Sequence, residues 1–247
     1  DGRLRYEIDF DAVEQAITPR TKILLLCNPH NPVGRMWTRA DLERLAEIAL
    51  RHNLVIISDE IHCDLILDGT AHIPMATLGP EVAARCMTLL SPSKTFNTPT
   101  LGIAVTITEN EELRKRFEKV TAFYLPHPGA IGFAAALAAY TQCQDWLDAL
   151  LVHLKSNRDF LVETVSASLP SVAITLPEAT YLAWLDFRDH NLPDGPYKFF
   201  LERGRVALSD GAAFGTAGEG FARLNFGTPR ATLAEALERM RTALAGI

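Results

Sequence analysis

Short apolar runs and one helical stripe dominate the first third of the chain. The run Ile23–Cys27 is nearly continuous, as in strands that are covered on both faces, and residues 54–57 and 87–90 repeat this pattern. Between the first two runs, apolar residues recur at the i, i+3, i+4, i+7 spacing of a helix: Leu42, Leu45, Ala46 and Ala49. The sequence therefore predicts a strand–helix–strand unit with parallel strands and a right-handed crossover.

Capping signals and further apolar segments extend this prediction. Thr38 and Asp41 have capping-box spacing at the start of the first helix, and Thr108 and Glu111 have it before a second one. Residues 101–108 predict a strand, with reversed direction as one option. Residues 131–169 have a helical composition, as two helices or one kinked helix. After them, we expect strands at 172–176, 181–187, 206–209 and 221–226, with helices near 197–203 and 232–244.

These elements together predict an α/β fold. We expect a three-layer sandwich built on a mainly parallel sheet, followed by a smaller α+β segment. The predicted domains are residues 1–155, which include a long connecting helix, and residues 156–247.

Polar clusters follow three of the predicted strands. Asn31 comes after the first run, Asp59 directly after the second and Lys94 after the third, where it is preceded by Ser91 and Ser93. In open α/β sheets, ligands bind beyond the carboxyl ends of the strands. We therefore expect an amide, a carboxylate and a primary amine to serve one ligand site.

This trio of groups has one chemical use in common. A lysine amine forms a Schiff base with pyridoxal phosphate, and an acidic side chain pairs with the pyridine nitrogen of that cofactor. The sequence predicts these roles for Lys94 and Asp59. Asn31 can donate to the phenolic oxygen of the ring. The hydroxyls of Ser91 and Ser93 can donate to the phosphate.

Four motifs in this order resemble a known superfamily. They are Asn-Pro-His-Asn-Pro-Val-Gly at 28–34, Ser-Asp-Glu-Ile-His at 58–62, Ser-Pro-Ser-Lys-Thr-Phe-Asn at 91–97 and Arg-Leu-Asn-Phe-Gly at 223–227. The set resembles the fold-type I, pyridoxal-phosphate-dependent aminotransferases of class I and II. The residues of the second and third motifs are most similar to those of the branch of cystathionine β-lyase-like carbon–sulfur lyases.

The resemblance implies further roles. Arg223 would bind the α-carboxylate of an amino-acid substrate, for which a planar guanidinium is suited. His62 stands where many aminotransferases carry a tyrosine that contacts the cofactor, and both a cofactor contact and a packed, hydrogen-bonded histidine remain open. Gly102 stands where many aminotransferases have a phosphate-binding arginine, as is common in the lyase-like branch.

The reaction implied by the resemblance is a β-elimination. Lys94 would remove the Cα proton of a substrate such as cystathionine, and loss of the thiol would give pyruvate and ammonia. An aminotransferase, which shares the first steps, is the alternative. A second alternative is a catalytically incompetent fragment or a regulatory homologue on the same fold.

Composition limits the other function classes. The chain has 247 residues and a net charge of −6, which argues against a nucleic-acid or anionic-membrane surface. The four cysteines show no metal or disulfide spacing, although Cys63 lies beside His62 and Asp64. We expect reduced thiols, no metal and a cytoplasmic location. The resemblance implies a homodimer.

The first residue of the sequence leads to an expectation about the length of the enzyme. The chain begins at Asp1, without a methionine. In the family, an N-terminal portion with a phosphate-binding turn and a ring-stacking aromatic residue precedes the matched region. We therefore expect this chain to be the C-terminal part of a longer enzyme, to bind the cofactor poorly by itself and to expose apolar sheet surface.

Overall fold

The computed structural model describes residues 3–125 and 127–247. In chain order, the strands are β1 Arg3–Leu4, β2 Ile23–Cys27, β3 Val55–Asp59, β4 Cys86–Leu90, β5 Val105–Ile107, β6 Ala173–Thr175, β7 Leu182–Asp186, β8 Ser209–Asp210 and β9 Phe221–Asn225. The α-helices are α1 Phe10–Gln15, α2 Arg39–Arg51, α3 Pro80–Ala83, α4 Pro92–Thr95, α5 Glu111–Tyr124, α6 Ala130–Gln142, α7 Gln144–Ser168, α8 Gly195–Phe199 and α9 Arg230–Leu244.

The chain divides into two compact units, which we name after one residue of each. The Lys94 unit comprises Glu7–Pro29 and Met36–Ala149. The Arg223 unit comprises residues 3–6, His30–Arg35 and Leu150–Ile247. The domain boundary expected between residues 155 and 156 stays a prediction.

The Lys94 unit contains, within its described residues, a four-stranded sheet in the order β2-β3-β4-β5. Strands β2, β3 and β4 are parallel, and β5 runs antiparallel to β4. The register pairs Cys27 with Asp59 and Asp59 with Leu89. The mainly parallel sheet and the reversed last strand are therefore confirmed, and the carboxyl ends of the three parallel strands lie side by side.

Helix α2 forms the crossover between β2 and β3, as its apolar stripe predicts. Thr38 caps the helix by accepting from Asp41 N, while the Asp41 carboxylate accepts from the backbone of Thr38. This capping box is the predicted one. The stripe residues Leu42, Leu45, Ala46 and Ala49 are buried in one cluster with Leu26 and Ile56 of the sheet. Burial of this stripe holds the helix against the sheet.

The edge strands of this sheet carry exposed apolar side chains. On β2, Ile23 is 51% exposed and Leu25 is 72% exposed. On β5, Val105 and Ile107 are 46% and 51% exposed.

Helix α5 begins two residues later than its sequence pattern indicates. The capping box predicted at Thr108 and Glu111 is wrong, because Asn110 is the cap and accepts from Glu112 N and Leu113 N. The Thr108 hydroxyl accepts from Asn110 N instead, at 3.3 Å. Asparagine is the stronger N-cap residue, so it wins where both are in reach. Downstream, the apolar segment forms two helices, α6 and α7, one of the two predicted options.

The Arg223 unit contains, in the part that the structure describes, a five-stranded sheet in the order β1-β6-β7-β9-β8. Strand β9 lies between β7 and β8, where Arg223 pairs with Trp184 on one side and with Ser209 on the other. The strand predicted at residues 206–209 is wrong in its bounds, because only Ser209–Asp210 pairs with β9. Val206 and Leu208 are buried without belonging to a strand, so their alternation with exposed residues reflects packing alone.

Across the described ranges 3–125 and 127–247, no helix combines the length and the apolar character that crossing a bilayer requires.

Candidate functional site

The first part of the candidate site lies at the carboxyl ends of β3 and β4 in the Lys94 unit. Asp59 is the last residue of β3, and Lys94 lies in the single turn α4 that follows β4. Both strands are parallel neighbours, so their ends meet at one edge of the sheet. The positive charge of Lys94 acts on the carboxyl of Asp59. The structure thus places these two predicted residues within electrostatic reach of each other.

The Asp59 carboxylate is half-buried and poorly compensated by the protein. One of its oxygens accepts from Ile61 N at 3.3 Å, which is a long hydrogen bond. Burial raises the pKa of Asp59 above its ordinary value, against the opposing effects of the Ile61 N–H and the Lys94 charge. A carboxylate in this state gains more than an exposed one from a charged hydrogen-bond donor placed against it.

Lys94 is a half-buried residue at the end of the same strand pair. Considering residues 3–125 and 127–247 only, no side chain forms a hydrogen bond or an ion pair with it. An amine without such a partner can approach a carbonyl group of a ligand.

The two serines before Lys94 are not equivalent. Ser91 is 8% exposed, caps α4 and lies with its Oγ 2.8 Å from the carbonyl oxygen of Ile103. It also lies 2.8 Å from Ser93 Oγ. A hydroxyl carries one hydrogen, which Ser91 uses on the Ile103 carbonyl. Ser93 is half-buried, and its hydrogen is the one left to fill the contact between the two hydroxyl oxygens, so the phosphate contacts of both serines stay predictions.

His62 and Glu60 both point into the protein. His62 is 1% exposed, a burial that fits its packed alternative, and its cofactor contact stays a prediction. Glu60 is 2% exposed and accepts hydrogen bonds from Ser58 Oγ at 2.8 Å and Met75 N at 3.0 Å. His72 Nε2 lies 2.7 Å from its other oxygen. Glu60 therefore ties the 72–75 loop to the end of β3, next to Asp59.

Glu60→Ala should destabilise the fold because it leaves the buried donors of Ser58 and Met75 without an acceptor. We expect the free energy of unfolding to fall by about 1–3 kcal/mol, measured by urea denaturation. Glu43→Ala is the control, since Glu43 makes an exposed i,i+4 pair with Arg39 that contributes about 0.5 kcal/mol or less. Equal losses in the two variants would contradict the anchoring role of Glu60.

A separate group of candidate site residues lies in the Arg223 unit. The Arg223 guanidinium donates to Asn31 Oδ1 at 2.9 Å and to Ser209 Oγ at 3.0 Å. The Phe214 ring lies over it, with 5.0 Å between the guanidinium carbon and the ring centroid. Burial lowers the pKa of Arg223, partly offset by Tyr181. Within the described residues, no carboxylate pairs with this half-buried cation, so an incoming carboxylate is its natural partner.

The hydrogen bond to Arg223 also fixes the role that Asn31 can play. Its side-chain oxygen is occupied by the guanidinium, so the NH₂ group is what remains for a ligand. A tight turn holds the Asn31 loop: Gly34 has φ +72°, and a Cβ there would lie 2.6 Å from Pro177 Cβ. Arg35 Nη1 anchors the same loop to the Glu178 carboxylate, at 2.7 Å.

Sequence reasoning missed Ser209 and Phe214 as neighbours of Arg223. Ser209 ends the predicted 206–209 segment, and Phe214 follows it. Nothing in the sequence around either residue indicates a contact with Arg223. The Arg223–Asn31 bond joins residues 192 positions apart. Only the pairing of β9 with β8 brings Ser209 to Arg223.

Within the described residues, the cysteines and acidic side chains form no second site. Cys27, Cys63, Cys86 and Cys143 are thiols outside any disulfide. Burial, followed by the nearby negative charges of Asp64 and Glu60, raises the pKa of Cys63 to about 12, so it is a poor thiolate donor. In the part of the chain that the structure describes, no three His, Cys, Asp or Glu side chains are grouped as metal ligands would be.

Comparison with known proteins places this site in a family. The sequence profile described as "Aminotransferase class I and II" matches residues 3–240. The chain is 39% identical over 242 residues to "Cystathionine beta-lyase PatB" of Bacillus subtilis (strain 168), covering 97% of this chain and 62% of PatB. It is 26% identical to an aspartate aminotransferase of Geobacillus stearothermophilus, covering 95% of this chain and 60% of that enzyme.

A solved structure agrees with this placement. The crystal structure of cystalysin from Treponema denticola, which contains a pyridoxal 5'-phosphate cofactor, matches with a TM-score of 0.93 at 33% identity. The match covers 100% of this chain and 63% of cystalysin.

The chain belongs to the class I and II aminotransferase family. Its similarity to the carbon–sulfur lyase branch, predicted from the second and third motifs, is confirmed. The chain spans 62% of the length of PatB and 63% of the length of cystalysin.

Proposed function

We propose that the protein is a pyridoxal-phosphate-dependent carbon–sulfur β-lyase that eliminates a thiol from an amino acid to give pyruvate and ammonia. One observation carries the proposal: the half-buried residue Lys94 has no side-chain partner among the described residues and lies within electrostatic reach of the desolvated Asp59 carboxylate. The greater similarity to a cystathionine β-lyase than to an aminotransferase supports the lyase reaction.

The donor set at the ends of β3 and β4 fits the cofactor. Asp59 would accept a hydrogen bond from the protonated ring nitrogen, which would relieve the cost of burying its charge. Lys94 would hold the cofactor covalently, and Ser93 would donate to the phosphate while Ser91 keeps the α4 turn in place. Asn31 would donate to the phenolic oxygen. When bound, pyridoxal phosphate supplies an electron-withdrawing ring that stabilises negative charge at the substrate Cα.

Residues of this chain would bind the substrate, transfer the proton and stabilise charge. Arg223 binds the substrate α-carboxylate through two parallel N–H donors, and its bond to Asn31 keeps the guanidinium oriented. Lys94 Nζ would take the Cα proton as a general base. The same amine would pass this proton to the departing thiolate, so that the sulfur leaves as a free thiol. Asp59 would stay ionised throughout and act through its charge and its hydrogen bond to the ring nitrogen.

A product analysis with L-cystathionine tests the proposed reaction. The lyase releases free thiol and pyruvate in equal amounts without any added keto acid. An aminotransferase, the alternative, forms a keto acid from the substrate only when an amino acceptor is present, and releases no thiol. Absence of both products from protein that carries bound cofactor would favour the second alternative, an incompetent fragment or regulatory homologue.

Arg223→Lys should weaken substrate binding, because a lysine amine cannot make two parallel hydrogen bonds to a carboxylate. We expect KM for cystathionine to rise about 10- to 100-fold, from a loss of roughly 1.5–3 kcal/mol in charged hydrogen bonding. Steady-state kinetics measure this. Arg230→Lys is the control, because Arg230 donates to Ser156 and should leave KM within about twofold. An unchanged KM in Arg223→Lys would remove the carboxylate role.

The proposal extends to partners and location. The exposed apolar side chains of the edge strands β2 and β5 support association with a second copy, as a homodimer. The four free thiols support a reducing, cytoplasmic location. Sedimentation velocity at two protein concentrations tests the first of these.

A further inference from the structure

The turn that carries Lys94 is too short to hold its own shape. Helix α4 has four residues, Pro92–Thr95, with Ser91 as its cap. A single helical turn is unstable in isolation because forming it fixes several dihedral angles for one hydrogen bond. The direction of the Lys94 side chain must therefore be set by contacts between this turn and its neighbours.

One such contact joins Thr95 to Asp64. The Thr95 hydroxyl donates to Asp64 Oδ2 at 2.9 Å, and Thr95 is fully buried at 0% exposure. The other Asp64 oxygen lies 3.8 Å from Cys63 Sγ. A hydrogen bond to an ionised carboxylate is about twice as strong as one between neutral groups. The residue next to Lys94 is thus held from outside the turn by a charged acceptor.

A second set of contacts holds the residue that follows Thr95 at the same end of the turn. The Phe96 ring packs edge-on against Tyr140, with 5.5 Å between centroids, and stacks on Trp146 at 6.1 Å. Burial, then the charges of Asp64 and Cys63, raise the pKa of Tyr140 to about 12. The aromatic contacts restrain the backbone after Thr95, and the contact of Ser91 Oγ with the Ile103 carbonyl holds the start of the turn. The Thr95–Asp64 bond acts on the residue directly after Lys94.

We propose that Asp64 is a positioning residue, which aims the Lys94 amine through its hydrogen bond with Thr95. This inference rests on the proposed function, because it assumes that the Lys94 amine reacts with pyridoxal phosphate. It assigns Asp64 no contact with the cofactor or the substrate. Loss of the bond should reduce the reactivity of one amine while the fold remains.

The test compares the rate at which borohydride traps pyridoxal phosphate on Lys94 and on Lys115, resolved by peptide mass spectrometry. Lys115 is an exposed residue of α5 and serves as the reference within each molecule. Thr95→Val removes the hydroxyl and keeps the shape, and should lower the Lys94-to-Lys115 ratio about tenfold. Thr95→Ser keeps the hydroxyl and should stay within about twofold of wild type.

Two further variants separate positioning from stability. Asp64→Asn keeps an acceptor for Thr95 but loses the charge, so its ratio should fall between those of Thr95→Ser and Thr95→Val. Thr88→Val removes another buried threonine hydroxyl, on β4 and 3.8 Å from Cys86 Sγ, and should lower the melting temperature without changing the ratio.

The labelling ratios of the variants support or overturn the positioning role of Asp64. A wild-type ratio in Thr95→Val, or an equal fall in Thr88→Val, would overturn the positioning role. If Thr95→Val fails to fold, the ratio in Asp64→Asn decides, and a wild-type value there overturns the inference. If wild-type protein shows no preference for Lys94 over Lys115, the proposed function itself fails and the inference fails with it.

Discussion

Lys94→Ala is expected to abolish turnover. The substitution removes the group that holds the cofactor and the general base that takes the Cα proton. We expect the rate with cystathionine to fall by at least about a thousandfold, within the range that a positioned proton-transfer group contributes. Absorbance of released thiol measures this rate, and far-UV circular dichroism checks the fold.

The matched control for this variant is Lys115→Ala. Lys115 is exposed and pairs with Glu111 at 2.7 Å, so its loss should leave the rate unchanged. A Lys94→Ala variant that retains a tenth of wild-type turnover would mean that another amine performs the chemistry.

Asp59→Asn is expected to lower kcat by about 100-fold or more, which is the usual effect of removing one preorganised electrostatic partner. The amide cannot keep the ring nitrogen protonated, so negative charge at Cα is less well stabilised. Cofactor attachment at Lys94 should persist. The two effects are measured separately, by steady-state kinetics and by the absorbance of bound cofactor. Wild-type turnover at saturating cofactor would exclude the proposed role of Asp59.

In the absence of cofactor, Asp59→Asn should stabilise the fold, although it lowers kcat. Because burial raises the pKa of Asp59 in the fold, its contribution to stability is present below its ordinary pKa of 3.8 and is lost as the pH rises through the raised value. At pH 7, removal of the charge in Asp59→Asn should therefore raise the melting temperature. The difference should shrink as the pH is lowered through that range. This contrasts with Glu60→Ala, which should lower stability.

The sequence predicts the Lys94 unit better than the Arg223 unit for a physical reason. The parallel strands β2, β3 and β4 are short apolar runs, joined by a helix whose stripe and capping box are both local signals. Because these strands run in the same direction, the polar residues that follow them lie at the same edge of the sheet. Asp59 and Lys94 were therefore predictable as neighbours from strand order alone.

The Arg223 unit depends on pairings between distant segments. Strand β1 pairs with β6, far along the chain, and β8 has two residues, Ser209 and Asp210. Such short strands carry no readable period, because two residues fix neither alternation nor bounds. The sequence also does not predict the hydrogen bond between Thr95 and Asp64, because these residues are 31 positions apart. Pattern predicts elements, whereas side-chain pairs across elements require the packed structure.

The central claim is that the Lys94 amine carries the cofactor. The most direct measurement is borohydride reduction of the protein with pyridoxal phosphate, followed by peptide mapping of the modified lysine. We predict that the label is found on Lys94, in the peptide that contains Ser91 and Thr95, and that it disappears in Lys94→Ala. A label concentrated on a different lysine, or one that survives in Lys94→Ala, would contradict the claim.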